Sequence, residues 1–156
     1  MTVVPKGQIT IKQLTLSRSC LNQIVEIEKL SFNKYDAYNK DDFRRWIGYN
    51  PDLCLVAEID GCIAGDMISR ILDDKAELAS LAIHPTYRRR EVGSALLEET
   101  VSRVKAYGVD HIDLEVRETN LDGFRFWKKM GFMLMGEQPG FYEDGETALQ
   151  MRKYIK

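Results

Sequence analysis

The chain is poor in cysteine. Three occur in 156 residues (Cys20, Cys54, Cys62), odd in number and far apart. No CxxC and no Cys/His ligand spacing is present, so neither a disulfide framework nor a metal site is indicated. Buried, reduced thiols are the expectation. No run of about 18 apolar residues occurs, so no membrane span is expected. The opening MTVVPKGQIT puts no long apolar stretch behind its charge, so no secretory leader is expected and a cytoplasmic location follows. Charge of one sign is lacking too. Twenty-two Lys and Arg face 24 Asp and Glu, a formal net charge of −2, so neither nucleic acid nor an anionic membrane is an expected partner. No repeat, low-complexity tract or Pro/Gly-rich linker divides the chain, and its length suits one domain over residues 1–156.

What is there reads as alternating short elements. Gln8–Leu16 alternates as a first strand. Cys20–Phe32 spaces Leu21, Ile24, Val25, Ile27 and Leu30 as a helix, and Asp41–Tyr49 follows as a second, with Asp41 or Asp42 as its cap. Leu53–Ile59 and Cys62–Ile71 are β-rich runs joined by Asp60-Gly61, a two-residue hairpin signal. A turn at Asp73-Asp74-Lys75 leads to a strand over Glu77–Ile83. Gly93–Tyr107 is an amphipathic helix stopped by Gly108, His111–Val116 a strand, and Asn120–Met130 a helix ended by Gly131. Phe132–Gly136 and Thr147–Tyr154 close the chain as strands. The order β-α-α-β-β-β-α-β-α-β-β predicts a mixed α+β layer fold.

Ser80–Leu97, SLAIHPTYRRREVGSALL, carries the sharpest chemistry. An apolar strand ends at Ile83, a Pro-containing turn follows, then three arginines, then a helix start. A helix N-terminus offers free N–H groups and the positive end of the macrodipole, a ready site for phosphate or pyrophosphate. Arg88, Arg89 and Arg90 add cationic donors. The competing reading is a solvated surface charge run.

These residues resemble the acetyl-coenzyme A-binding motif of the GNAT superfamily of N-acetyltransferases. Leu81-Ala82-Ile83-His84-Pro85-Thr86-Tyr87-Arg88 resembles the motif's lead-in. Arg88 stands at the first position of (Gln/Arg)-x-x-Gly-x-(Gly/Ala) and Gly93 at the last, while Glu91 stands where the family usually has glycine. Leu114-Glu115-Val116-Arg117-Glu118-Thr119-Asn120, with Trp127-Lys128-Lys129-Met130-Gly131-Phe132, is similar to the family's "LEVRxSN…LYxxxGF". Gly140–Ala148 is similar to "YYxDGEDA". These later motifs resemble the subgroup that acetylates protein N-termini, the ribosomal-protein alanine acetyltransferases and their archaeal relatives.

The resemblance implies a mixed, mostly antiparallel sheet of about seven strands flanked by four helices. It implies acetyl-coenzyme A held by Leu81, Ala82, Ile83, Arg88, Arg89, Arg90, Glu91, Val92, Gly93, Ser94 and Asn120, beside a splay of the strands. Glu91 would repel a pyrophosphate unless the arginines neutralise it, and that neutralisation is the expectation. No metal is implied. A thioester-to-amine transfer needs a neutral amine, and a carboxylate base serves. Glu115, in the "LEVR" strand, and Glu77, at the start of the preceding strand, are both candidates. Two nearby like charges would raise the pKa of one of them. Trp127 stands where the family often supplies a tyrosine acid. An indole N–H is no practical acid, so Trp127 either packs against the cofactor arm, donates to its sulfur or packs in the core. Tyr142 is a replacement acid or a substrate contact. An unprotonated thiolate leaving at pH 7 is uphill by only about 2 kcal/mol.

The substrate implied is a protein or peptide N-terminal α-amine, flanked by Phe32, Tyr35 and Tyr38 in the first loop and by Phe141 and Tyr142 in the last. Transfer would be direct, within a ternary complex. A small-amine substrate is the second reading, with Asp36, Asp41, Asp42, Asp73 and Asp74 attracting its charge. A coenzyme A-binding domain without catalysis is the third, motivated by Trp127 and Glu91.

Overall fold

The first two helices show how local side chains set the element ends. Ser17 Oγ accepts from the Cys20 N–H at 3.2 Å and opens α1 (Arg18–Ser31), two residues ahead of the first apolar position. Asn39 opens α2 (Lys40–Ile47). Its side chain accepts from the Asp42 N–H while Asp42 accepts from the Asn39 N–H, both at 2.9 Å. This reciprocal capping box makes Asp42 the third-position partner, not the cap expected from sequence. The structure, a computed structural model, describes residues 6–156. The reading of the opening residues as free of a leader falls partly outside them.

Strand β1 (Ile9–Gln13) precedes α1. The strands β2 (Cys54–Ile59) and β3 (Cys62–Leu72) meet at Asp60-Gly61, where φ is +51° and +81°. Both residues are left-handed, as a type I′ hairpin requires. Then follow β4 (Lys75–Ile83), α3 (Val92–Lys105), β5 (His111–Arg117), α4 (Leu121–Lys129), β6 (Met133–Gln138) and β7 (Ala148–Tyr154). The element order matches the sequence reading, with ends moved by a residue or two except at β1, which stops three residues short of Leu16. Cys20 and Cys54 are buried, but Cys62, at the hairpin end of β3, is exposed; all three are free.

The seven strands form one sheet in the order β1-β2-β3-β4-β5-β7-β6. Every neighbouring pair is antiparallel except β4 and β5. One apolar cluster, with Leu96, Val104, Ile112, Leu114 and Trp127, packs α3 and α4 on one face. A second, with Leu21, Ile24, Ile27, Phe43 and Ile68, packs α1 and α2 on the other. Among the described residues no helix is long and apolar enough to cross a membrane.

Candidate active site

The parallel pair at the centre of the sheet comes apart. β4 and β5 are paired only at Ala76–Ile112 and Glu77–Asp113, yet β4 runs on to Ile83 and β5 to Arg117. Beyond Glu77 the two strands leave an open cleft with unpaired backbone edges. A bulge lies beside it: Ile68 pairs with Ser80 and Ser69 with Leu78, so Ala79 has no partner. The extra residue switches the strand's faces. Ala76 and Leu78 belong to the α3 side, whereas Ala82, next but one after Ser80, belongs to the α1 side.

The open edge of β4 leads into the arginine loop and the start of α3. Ser17, Asn39 and Asn120 cap the other three helices, but among the described residues no side chain caps α3. Its first N–H groups are thus left to a ligand or to water. Glu91 occupies the cap position with φ +64°, and Arg89 has φ +62°. The left-handed region costs an L-residue on the order of 1–2 kcal/mol. That is a physical reason for glycine to suit position 91. The expected neutralisation of Glu91 is not seen: none of Arg88, Arg89 or Arg90 forms an ion pair with it among the described residues. Arg88 Nε instead donates to the Ile83 carbonyl at 3.1 Å, and the Arg90 guanidinium lies 5.8 Å from the centre of the Tyr87 ring. Gly93 is buried against α4, where a Cβ would come within 3.0 Å of Phe126 Cζ.

On the opposite face of the strands lie the two carboxylates. Ala76, Leu78, Ile112, Leu114 and Val116 all turn to the α3 side, so Glu77, Asp113, Glu115 and Arg117 turn to the α1 side. The Glu115 carboxyl is raised above its ordinary range, first by desolvation and then by the like charge of Glu77. Glu115 borders a groove of about 260 Å³ lined also by Lys75, Asp113, Met135, Gln150 and Arg152. Glu77 has a cation of its own: Arg70 Nη2 lies 3.4 Å away, its guanidinium stacked on Trp46 and Tyr49 at 4.9 and 4.7 Å.

Arg117, at the end of β5, fastens two loops across this face. It donates to Asp36 in the α1–α2 loop at 2.6 and 2.9 Å, and to Asp144 and Glu146 in the β6–β7 loop, each at 2.9 Å. Its guanidinium lies 4.1 Å from the centre of the Tyr142 ring. Glu146 also accepts from the Thr119 N–H at 3.1 Å. Sequence reading quoted Arg117 within a motif but gave it no role, because its partners lie 27 to 81 positions away.

The remaining predicted residues divide. Leu81, Ala82 and Ile83 form the open strand edge, while Val92 and Ser94 stand with Gly93 at the start of α3. Asn120 caps α4, its side chain accepting from the Gly123 N–H at 2.9 Å. Trp127 is buried in the core, edge-on to Phe126 and Phe132 at 4.9 and 5.2 Å. Tyr35 and Phe141 are exposed, and Phe141 meets Tyr142 edge-on at 5.0 Å. Phe32 and Tyr38 are instead half-buried against the α1-side core, Tyr38 among Phe43 and Trp46. The Tyr142 hydroxyl is raised above its ordinary pKa, first by burial and then by Asp36. Three of the acidic residues read as a cation attractor are already paired, Asp36 with Arg117, Asp41 with Arg44 and Asp42 with Arg45.

A long strand edge ending at an uncapped helix N-terminus, with carboxylates behind it, is a candidate site for group transfer from a phosphate-bearing donor. The sequence pattern of the acetyltransferase (GNAT) family matches residues 21–132, and the chain belongs to that family. It is an N-acetyltransferase of the GNAT fold, and the family's acetyl donor is acetyl-coenzyme A. The chain is 34% identical over 133 residues to a candidate ribosomal protein bS18-alanine N-acetyltransferase of Bacillus subtilis, covering 84% of this chain and 87% of that one. It is 33% identical over 109 residues to an N-alpha-acetyltransferase of Sulfurisphaera tokodaii, 62% of this chain and 65% of that one. The crystal structure of Ard1 from Thermoplasma volcanium matches with a TM-score of 0.88 over 95% of this chain and 98% of that one. At 24% identity that likeness is one of fold.

Proposed function

We propose that the enzyme acetylates the N-terminal α-amine of proteins or peptides, by direct attack on acetyl-coenzyme A in a ternary complex. The observation that carries this reading is the Arg117 clasp. It joins two loops over the carboxylate side of the splay, the side from which a chain end would approach in this reading. The relatives described as alanine N-acetyltransferase and N-alpha-acetyltransferase support it. The coenzyme's phosphates fit the uncapped start of α3 with Arg88, Arg89 and Arg90 nearby, and its arm fits the free edge of Leu81–Ile83.

In the proposed reaction the amine nitrogen bonds to the thioester carbonyl carbon, Glu115 takes the amine proton, and the C–S bond breaks. Coenzyme A departs as thiolate and is protonated by water. Trp127 is held in the core and Tyr142 has a pKa above that of a thiol, so neither suits the role of acid. We read Tyr142 as a wall of the peptide groove. Base strength favours an α-amine. At pH 7 about a tenth of an α-amine is neutral, against roughly 0.04% of a lysine or polyamine amine. Peptide-dependent release of coenzyme A thiol tests the reading. Release with polyamines alone points to a small-amine enzyme, and tight coenzyme binding with no release points to a non-catalytic domain.

A further inference from the structure

Beneath the cleft, on the α1 side of the sheet, two carboxyl groups are buried together. Glu28 on α1 and Asp66 on β3 are each 0% exposed. Glu28 Oε1 accepts the Tyr38 backbone N–H at 3.0 Å, and Oε2 accepts the Ser80 hydroxyl at 3.0 Å. Among the described residues neither oxygen of Asp66 meets an N–H or hydroxyl donor. What it meets is the Glu28 carboxyl, within hydrogen-bonding reach. The titratable groups facing the pair are Cys20 from α1, Tyr38 from the α1–α2 loop, Asp42 from α2 and Cys54 from β2. None supplies a positive charge, and Asp42 is itself held by Arg45. Two bare carboxylates buried in contact, with no cation among the groups that face them, are too costly to persist, so the pair shares a proton. Burial, the largest cause, pushes both carboxyls up, Glu28 to about 7.

The pair's other bonds reach the two sides of the cleft. Tyr38 belongs to the loop that carries Tyr35 and Asp36. Ser80 follows the Ala79 bulge and immediately precedes Leu81–Ile83. Glu28 therefore ties the loop proposed for the peptide to the strand proposed for the coenzyme.

We propose that Glu28 is a positioning residue: paired with Asp66, it braces the α1–α2 loop against β4, and the brace holds only while the two carboxyls share a proton. The proposal rests on the reading of that loop as the substrate side. Loss of the proton sets two negative charges against each other in a buried pocket. The paired interior strands β3 and β4 resist movement, and the loop is the part that gives way to admit water. The sign is fixed by linkage. A carboxyl raised in the folded state contributes stability present below its unfolded pKa and lost as pH rises through its folded pKa. The brace is therefore intact at acidic pH, where the pair keeps its proton, and is lost as pH rises through neutrality.

The test follows the Tyr38 amide by hydrogen exchange, corrected for intrinsic rate, together with the KM of peptide, expressed as its neutral-amine concentration, and of acetyl-coenzyme A from pH 6 to 9. In the wild type, Tyr38 protection falls by about tenfold or more and peptide KM rises with it, while acetyl-coenzyme A KM stays within about twofold. In Asp66→Asn the amide donates to Glu28 without a shared proton, and both pH dependences disappear. Glu28→Gln does the same from the other side, should the first variant fold poorly. A flat wild-type response, a variant that keeps the wild-type fall, or a protection loss with unchanged peptide KM overturns the proposal. A Tyr38 response that follows the pair in a protein that turns over no peptide supports the brace and places the failure in the assigned substrate.

Discussion

Glu115→Gln keeps the side chain's shape and removes its basic oxygens. Glu115 stands two residues beyond Asp113, whose partner across the last paired rung of the splay is Glu77. A positioned general base is worth about 10²–10⁴ in rate. An α-amine is already about one-tenth neutral at pH 7, so freeing it costs only about 1 kcal/mol and the lower end of that range applies. We expect kcat/KM for a peptide to fall about 100-fold, about 2.7 kcal/mol, on the plateau above the acid limb, and the difference to shrink as pH falls and Glu115 of the wild type is protonated. Coenzyme A affinity should stay within about twofold, because the carboxylate accepts a proton and anchors nothing. Glu77→Gln should behave differently. It removes the like charge that helps to raise Glu115, so the Glu115 pKa drops and the acid limb of the profile moves to lower pH. The plateau should stay within about threefold. The assay is thiol release against pH for both variants, with coenzyme A binding by calorimetry. A Glu115→Gln enzyme with an unchanged plateau refutes the reasoning, as does a Glu77→Gln enzyme as impaired as Glu115→Gln.

Glu91→Gly relaxes a left-handed residue and removes an unpaired surface charge. Coenzyme A affinity by calorimetry should improve by less than about tenfold, and a larger gain would show that Glu91 opposes the cofactor in earnest. Gly65→Ala sets a Cβ 2.7 Å from Ile83 Cδ1 and 2.8 Å from the Ala82 carbonyl oxygen. The overpacking should cost about 1–3 kcal/mol, lower Tm by about 2–4 °C per kcal/mol, and raise acetyl-coenzyme A KM more than peptide KM; an unchanged Tm counts against it. Arg117→Lys loses the planar fork that serves three carboxylates at once and the stack on Tyr142. Peptide KM should rise about tenfold with acetyl-coenzyme A KM unchanged, and equal effects on both would remove the clasp from the peptide side.

Local chemistry was legible in the sequence. Asp60-Gly61 gave its hairpin because both residues accept positive φ, and Ser80–Leu97 gave a strand, turn and helix start from adjacent residues. The cap of α2 went to Asn39 instead of Asp41 or Asp42, since a capping box needs its acid at the third position. Trp127 packs in the core against Phe126 and Phe132. What stayed hidden was long-range. The Ala79 bulge depends on β3, and the Arg117 clasp draws on two distant loops. The buried pair left a faint mark: Glu28 falls on the apolar face of α1, one turn after Ile24, and Asp66 interrupts the apolar run of β3. Neither mark named its partner.

The central claim is that the acetyl group goes to a chain's α-amine. It is tested most directly by one peptide carrying both a free N-terminus and an internal lysine, incubated with acetyl-coenzyme A and mapped by mass spectrometry. The account predicts one acetyl group on the α-amine, released thiol in equal amount, and no reaction when the N-terminus is blocked. Acetylation of the lysine, or continued turnover on the blocked peptide, would contradict it.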